Sequence, residues 1–226
     1  MTPTTKPLRI KEAFYTLQGE GARSGRASVF IRFSKCNLWN GKESGREAAV
    51  CQFCDTDIVG IDGENGGEYS AVELLDLAKH LWGDLDPNSN PGQPYVVFTG
   101  GEPALQLTVD IVQSFKDAGF ETAVESNGTL TLPENLDWVC ISPKGQSDVV
   151  VSSCNELKMV YPQQDLSPSD VTHIQADHYY LSPMAEYGTE SQGTIVRENM
   201  VNATQYCLDH PIWKMSLQTH KLLGIS

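Results

Sequence analysis

The pattern of apolar and polar positions divides the chain into short strands and longer helical stretches. At residues 27–33, β-branched and aromatic residues alternate with smaller or polar ones, which predicts a strand. Residues 95–98, Tyr-Val-Val-Phe, form a nearly continuous apolar run, typical of a strand buried on both faces. The same criteria predict further strands at 122–125, 138–141, 156–160, 179–181 and 213–217.

Helical periodicity predicts three helices between these strands. The first covers residues 70–82, where Ser70 is placed to cap the helix and Glu73 follows three residues later. The others are predicted at about 108–118 and 198–210. Strands that alternate with helices indicate parallel βαβ units, and polar or glycine-containing sequence follows nearly every strand.

The predicted fold class is therefore α/β, a partial, trimmed TIM-like (β/α) barrel. A complete eight-unit barrel usually needs about 250 residues, whereas this chain has 226. We expect one domain over residues 1–226, because no repeat, low-complexity tract or linker divides the chain. Residues 84–94 are predicted to form a surface loop, and the glycine-rich stretch 62–68 a flexible turn.

Charge and hydropathy exclude several classes of function. The formal net charge of −13 disfavours direct binding of nucleic acid, because an acidic surface repels phosphates. No apolar run approaches the roughly 20 residues that cross a bilayer, and the first six residues lack the apolar stretch of a signal peptide. We therefore expect a cytoplasmic protein that binds neither nucleic acid nor membrane.

Three of the six cysteines are grouped, with fourteen residues between Cys36 and Cys51 and two between Cys51 and Cys54. In a reducing compartment, such a group is more often a metal site than a disulfide framework. A structural zinc site usually needs four protein ligands, whereas three thiolates on a [4Fe–4S] cluster leave one iron open for an external ligand. Spacing alone leaves a cluster, a zinc ion and free thiols as alternatives. The remaining cysteines, at positions 140, 154 and 207, are interpreted as small buried apolar residues.

Other motifs favour the cluster over a zinc ion or free thiols. Phe53 lies between the paired cysteines, Thr-Gly-Gly-Glu-Pro at 99–103 follows a predicted strand, and Ser-Pro-Lys at 142–144 follows another. Together they resemble the radical S-adenosylmethionine superfamily, whose usual cysteine spacing is three and then two residues. A loop insertion at 37–50 accounts for the longer first gap, because each doubling of loop length costs only about 0.6 kcal/mol.

The two ends of the chain narrow the resemblance to one family. Residues 14–21 (FYTLQGEG), 30–33 (FIRF) and 213–221 (WKMSLQTHK) resemble 7-carboxy-7-deazaguanine synthases. That family converts 6-carboxy-5,6,7,8-tetrahydropterin to 7-carboxy-7-deazaguanine, a ring contraction with loss of ammonia on the route to 7-deazapurines such as queuosine. The resemblance implies a lyase with a [4Fe–4S] cluster, S-adenosylmethionine, Mg²⁺, a homodimer, and an electron donor such as flavodoxin or ferredoxin.

The resemblance implies residue roles but no side-chain acid or base, since the cofactor carries out the radical chemistry. It assigns the cluster to Cys36, Cys51 and Cys54. We expect the hydroxyl of Thr56, two residues past Cys54, to bind magnesium, with the capping of a local turn as the alternative. The residues expected to contact the cofactor are Phe53, Cys54, Asp55, Gly101, Glu102, Glu125, Ser142, Lys144 and Ser182. Four of them have a structural alternative: Phe53 as a core residue, Glu102 in a strand-end turn, Glu125 as a solvated acid, and Lys144 as a surface lysine. Ser182 stands where the family often has glutamine.

Substrate binding is implied for a second set: Leu17, Gln18, Gly19, Glu20, Arg32, Thr99, His220 and the carboxylate of Ser226. We expect Arg32 to bind the substrate carboxylate through both guanidinium branches, with a structural ion pair as the alternative. We also expect three large apolar residues in 221–226 to hold the chain end. Two other functions stay open, an activase for a glycyl-radical enzyme and a non-catalytic zinc module.

Overall fold

The computed structural model describes residues 6–86, 88–185 and 196–225. Its strands belong to one nine-stranded sheet with the order β3-β1-β2-β4-β5-β6-β7-β8-β9. The strands are β1 Leu8–Leu17, β2 Ala27–Phe33, β3 Gly67–Tyr69, β4 Tyr95–Gly100, β5 Glu121–Ser126, β6 Trp138–Ile141, β7 Ser153–Tyr161, β8 Gln175–Pro183 and β9 Trp213–Met215. The helices are α1 Ala71–Trp82, α2 Val109–Asp117, α3 Arg197–Asp209 and α4 Thr219–Leu223.

From β2 to β9, each strand pairs in parallel with its neighbour in the sheet, whereas β1 runs antiparallel to both β2 and β3. The sheet does not close, because β3 and β9 are its two edges. The connections at 127–137, 142–152 and 162–174 contain no α-helix. The prediction of a partial, trimmed (β/α) barrel is confirmed.

Two apolar clusters hold the sheet and its helices together. The larger cluster packs α1 and α2 against β1, β2, β4 and β5, with Phe33, Phe98 and Phe115 fully buried. The smaller one lies among β6 to β9 and includes Leu157 and Met159. Burial of this kind is the main favourable contribution to folding.

Helix α1 begins as predicted. Ser70 caps it by accepting a hydrogen bond from the backbone N–H of Glu73, whose carboxylate accepts one from the N–H of Ser70 in return. This reciprocal capping box satisfies two donors that the first turn leaves without partners.

Three local predictions need correction. The strand predicted at 213–217 ends at Met215, and the short helix α4 follows it. The stretch predicted as a flexible turn leads into β3, because Gly67 pairs with Ile10 of β1. Of the three cysteines expected to be buried, only Cys140 is buried; Cys154 and Cys207 are partly exposed.

The apolar residues near the carboxyl end were expected to pack against the fold, and this prediction is wrong. Leu222 is 68% exposed and Leu223 is 62% exposed. Helix α4 is held by polar contacts instead, since Lys221 pairs with Asp55 at 2.8 Å. The predicted role of Ser226 falls outside the described residues. Every helix in the described part of the chain is too short or too polar to cross a membrane.

Candidate active site

A cavity of about 510 Å³ lies at the carboxyl ends of the parallel strands. Functional groups gather at this end of parallel βα folds because the loops that follow the strands meet there. Each parallel strand, or the loop directly after it, contributes to the wall: Arg32, Thr99, Glu125, Ser142, Lys158, Ser182 and Gln218.

Nearly all predicted site residues line this one cavity. They are Leu17, Gln18, Gly19, Glu20, Arg32, Cys36, Cys51, Phe53, Cys54, Asp55, Thr56, Thr99, Gly101, Glu125, Ser142, Lys144, Ser182 and His220. Motifs separated by up to two hundred residues in the sequence therefore meet at a single site. Glu102 is not part of the wall, and Ser226 is not described.

The carboxylate of Glu102 has a local structural role. It is fully buried and accepts hydrogen bonds from the backbone N–H groups of Ala104 and Asn127, both at 2.9 Å, and from the Ser126 hydroxyl at 2.8 Å. Burial raises the pKa of Glu102. These contacts join the turn after β4 to the end of β5, as the alternative interpretation expected, and the pairing with a cofactor ammonium stays a prediction.

Gly101 is required by the packing of two backbone segments. A Cβ at this position would lie 1.8 Å from the Lys35 carbonyl oxygen. Backbone packing alone therefore requires glycine at this position, whether or not a cofactor is bound.

The cysteine thiols lie along one part of the cavity wall. Cys51 donates a hydrogen bond to the sulfur of Cys54, which lowers the pKa of Cys54 to about 6 and raises that of Cys51. Burial raises the pKa of Cys36, whose sulfur accepts a hydrogen bond from the Leu38 N–H at 3.4 Å. Within residues 6–86, 88–185 and 196–225, no three metal-binding side chains converge as the ligands of one ion do.

The segment from Leu17 to Glu20 is fixed by the carboxyl-terminal motif. The Gly19 carbonyl accepts hydrogen bonds from the backbone N–H and the hydroxyl of Thr219, at 2.9 and 2.8 Å. His220 packs so closely that a Cβ at Gly19 would lie 2.1 Å from its ring nitrogen. Segments near the two ends of the chain thus form one wall of the cavity. His220 is partly buried in this wall, and the burial lowers its pKa.

Lys158 joins two carboxylates of the cavity wall. Its ammonium lies 2.7 Å from Glu20 and 3.3 Å from Glu125, and Glu125 also accepts a hydrogen bond from Gln18 at 3.0 Å. We call these four residues the lysine–carboxylate network. The Lys158 side chain is only 7% exposed, so its charge needs these partners.

This network keeps Glu20 ionised. Burial raises the pKa of Glu20, but the charge and hydrogen bond of Lys158 and a hydrogen bond from Gln218 lower it to about 2. The two carboxylates raise the pKa of Lys158 despite its burial. At neutral pH, the cavity therefore presents a fixed anion at Glu20.

Arg32 lies in the wall opposite Glu12 on the neighbouring strand. Its Nε donates to Glu12 Oε1 at 2.7 Å, and the two residues are register partners of β1 and β2. The ion pair expected as an alternative is thus present, and Arg32 nevertheless lines the cavity.

A second cation lies beside the cysteine turn. Lys144 donates to the hydroxyl of Ser142, and its ammonium is 5.6 Å from the centre of the Phe53 ring, within the range of a cation–π contact.

A chain of polar contacts links this turn to the network. Lys221 lies 2.8 Å from both the Asp55 carboxylate and the Gln218 side-chain oxygen, and Gln218 hydrogen-bonds Glu20. Thr56 lines the cavity between Asp55, held by Lys221, and Asp57, held by Lys11.

Lys158 and Gln218 were not predicted as site residues. A signal for Lys158 was present, since Glu156 and Lys158 alternate with Leu157 and Met159 in β7. Alternation places the two charged residues on one face of the strand, and the Lys158 side chain on that face lines the cavity.

Comparison with known proteins relates the whole chain to one family, although no family model matches it. The 7-carboxy-7-deazaguanine synthase of Bordetella pertussis is 49% identical over 217 residues, covering 96% of this chain and 98% of that protein. The enzyme of that name from Bradyrhizobium diazoefficiens has the same identity and coverage, and that from Bacteroides thetaiotaomicron is 34% identical.

A solved structure supports the fold. The crystal structure of QueE from Escherichia coli matches 93% of this chain and 93% of that chain with a TM-score of 0.66 at 21% identity. At that identity the likeness concerns architecture, and the sequence relatives carry the family assignment. Relatives sharing nearly half of their residues over almost the full length show that the chain belongs to the 7-carboxy-7-deazaguanine synthase family.

Proposed function

We propose that this protein converts 6-carboxy-5,6,7,8-tetrahydropterin to 7-carboxy-7-deazaguanine as a radical S-adenosylmethionine lyase. One observation carries the proposal: a single cavity is bordered by the three grouped cysteines and by the segment Leu17–Glu20 with Arg32. The names of the relatives supply the product, and the substrate and the radical chemistry follow from the family resemblance of the sequence motifs.

The cysteine arrangement suits a [4Fe–4S] cluster held by Cys36, Cys51 and Cys54. Each thiolate of such a cluster binds a different iron, so the sulfurs lie farther apart than the ligands of one zinc ion. N–H donors face Cys36, from Leu38 at 3.4 Å and from the Asn127 amide at 4.0 Å, and such donors stabilise a cluster thiolate. When bound, the cluster and S-adenosylmethionine supply the radical chemistry.

Residues beside the cysteine turn suit the cofactor. Phe53 offers a ring face for the adenine, and Lys144 with Ser142 offers a cation and a hydroxyl for the carboxylate. Both contacts of Glu125 to the network use Oε1, which leaves Oε2 for the ribose hydroxyls. Asp55, the Gly101 backbone and Ser182 complete this set.

The opposite wall suits the pterin. Arg32 uses Nε for Glu12, and its terminal nitrogens are assigned to the substrate carboxylate. Glu20, ionised at neutral pH, accepts hydrogen bonds from the amino group and the ring N–H. Gln18 serves mainly to hold this wall, because its amide donates to Glu125 and accepts from the Glu20 N–H.

Lys158 is proposed as a positioning residue for both ligands. It holds Glu20 toward the pterin and Glu125 toward the cofactor. One ammonium thereby sets the distance between the two carboxylates, and so the relative placement of the two reactants. Proximity and orientation of this kind are a large part of enzymatic rate enhancement.

Magnesium is assigned to Thr56, with Thr99 and His220 as additional substrate contacts. A hydroxyl is a weak ligand for Mg²⁺, so substrate oxygens and water would complete the octahedron. We also propose a single domain with an insertion at 37–50, a homodimer, a flavodoxin or ferredoxin as electron donor, and a cytoplasmic location. These four points rest on the family and on the sequence pattern.

Anaerobic reconstitution followed by a product assay tests the function. Protein loaded with iron and sulfide is incubated with S-adenosylmethionine, Mg²⁺, a reductant and carboxy-tetrahydropterin. We expect about four irons and four sulfides per chain and formation of 7-carboxy-7-deazaguanine. About one zinc per chain without sulfide would instead identify the zinc module. A loaded protein that cleaves the cofactor yet leaves the pterin unchanged would contradict the proposed reaction.

A further inference from the structure

Arg46 lies in the loop between the first and second grouped cysteines, and its contacts reach the ligand turn. Its Nη1 donates to two backbone carbonyl oxygens of that turn, those of Gln52 and Cys54, each at 3.0 Å. These carbonyls alternate with the thiols of Cys51 and Cys54 along the chain. Holding these two carbonyls fixes the backbone that carries the Cys51 and Cys54 thiols.

The guanidinium is itself held in place. It pairs through Nε and Nη2 with both carboxylate oxygens of Glu43, and it lies 4.2 Å from the centre of the Trp39 ring. Trp39 is buried and lines the cavity. Arg46 is 18% exposed, whereas Glu43 is 76% exposed, so the arginine lies between the cavity wall and solvent.

We infer that Arg46 is a positioning residue for the cluster ligands Cys51 and Cys54, and that the insertion at 37–50 carries this clamp. The inference rests on the proposed cluster but concerns a contact that exists in the apo protein. A planar guanidinium can bind a carboxylate on one edge and carbonyls on another, which an ammonium cannot reproduce in full. The fourteen residues between Cys36 and Cys51 would thus serve to position two of the cluster ligands.

The test compares Arg46→Ala with Lys42→Ala. Lys42 lies exposed in the same loop. Its ammonium makes no hydrogen bond or ion pair with the described residues, and the hydrogen bonds of Lys42 use its backbone N–H and carbonyl. Both variants remove one positive charge, but only the first removes the clamp. Arg46→Lys is the conservative variant, which keeps donors for the two carbonyls and loses the bidentate pair with Glu43.

The first readout needs no cluster. In apo protein, hydrogen–deuterium exchange of the backbone amides in 51–56 should be about tenfold faster in Arg46→Ala, because loss of these charge-assisted hydrogen bonds frees the turn. Lys42→Ala should match the wild type, and Arg46→Lys should lie between. Unchanged exchange in Arg46→Ala contradicts the clamp.

The second readout is loss of iron from reconstituted protein to a chelator. Arg46→Ala should lose its iron–sulfur absorbance about tenfold faster than the wild type, with Lys42→Ala unchanged. Equal rates for Arg46→Ala and the wild type overturn the inference while leaving the proposed function intact. Failure of the wild type to take up iron and sulfide contradicts the proposed function, and the apo exchange experiment still decides whether the clamp exists.

Discussion

The cysteine turn and the lysine–carboxylate network form two regions of the same cavity, but they are built differently. The turn and the loop before it lie within nineteen consecutive positions, 36–54, and Arg46, Glu43 and Trp39 hold them from within that loop. The network joins Glu20, Glu125 and Lys158, which come from three distant parts of the chain.

This difference concerns the energy of each region as much as its position in the sequence. The cysteine loop is partly exposed and depends on a few hydrogen bonds, so a substitution there should change metal binding more than folding. The network is built around the buried ammonium of Lys158, with Glu20 and Glu125 largely covered. The loss of one charge therefore leaves the others without a partner in a poorly solvated region. We therefore expect substitutions in the two regions to separate cluster content from stability.

The largest effect is expected from the cysteines. Cys36→Ala, Cys51→Ala and Cys54→Ala should each abolish the cluster, because three thiolates are the minimum set for a cluster with one open iron. Iron and sulfide analysis after anaerobic reconstitution measures this. Cys140→Ala, Cys154→Ala and Cys207→Ala are the controls and should keep the cluster. Undiminished iron–sulfur absorbance in Cys36→Ala, Cys51→Ala or Cys54→Ala would contradict the ligand assignment.

Substitution of Lys158 should chiefly lower stability. Lys158→Met keeps the length of the side chain but leaves Glu20 and Glu125 without their shared cation. We expect the free energy of unfolding to fall by about 3–5 kcal/mol, the cost of breaking a buried ion pair. Chemical denaturation of the apo protein measures it.

The double variant Lys158→Met with Glu20→Gln provides the control for this effect. It removes the stranded charge of Glu20, so it should recover part of the lost stability. If the double variant were no more stable than Lys158→Met, the charge pairing would not be the cause.

Arg32→Lys tests whether Arg32 binds the carboxylate of the substrate. The ammonium keeps the charge and reaches Glu12 but cannot also bind a carboxylate with two parallel donors. KM for carboxy-tetrahydropterin should rise about tenfold, while cleavage of S-adenosylmethionine without substrate stays unchanged. An unaltered KM would leave Arg32 as a structural ion pair with Glu12.

The pH dependence of stability provides a smaller effect. The pKa of Glu20 falls from its ordinary 4.5 to about 2 on folding, so the carboxylate stabilises the folded state above pH 4.5. That contribution is lost as the pH falls through the folded pKa. Glu20→Gln should therefore be less stable than the wild type at neutral pH, and the difference should shrink toward pH 2. Denaturation at several pH values checks this, and a constant difference would refute it.

The smallest expected effect concerns magnesium. Thr56→Ala removes a single hydroxyl ligand, so it should weaken the stimulation of turnover by Mg²⁺ and spare cleavage of the cofactor. Thr56→Ser keeps the hydroxyl and is the matched control. Titration of activity with Mg²⁺ distinguishes the variants, and identical curves for the wild type and Thr56→Ala would reject the assignment.

Most of the parallel half of the fold was predictable from the sequence, because its signals are local. The capping residues of α1 and the apolar run of β4 depend on neighbours within a few positions. Strand β1 was not predicted as a strand, since the adjacent charges of Lys11 and Glu12 interrupt its alternation. Lys11 is nevertheless buried, because Asp57 and Asp62 pair with it across the fold.

The sequence by itself determined the family, the grouping of the cysteines and the nature of the residues that would gather at the strand ends. Only the tertiary structure decided which charges meet. A lysine in an apolar strand can be buried only where carboxylates from elsewhere surround it, and no pattern within β7 indicates that Glu20 and Glu125 do so. Ion pairing in a folded interior depends on distances between remote segments, and those distances arise only when the sheet and its loops are assembled.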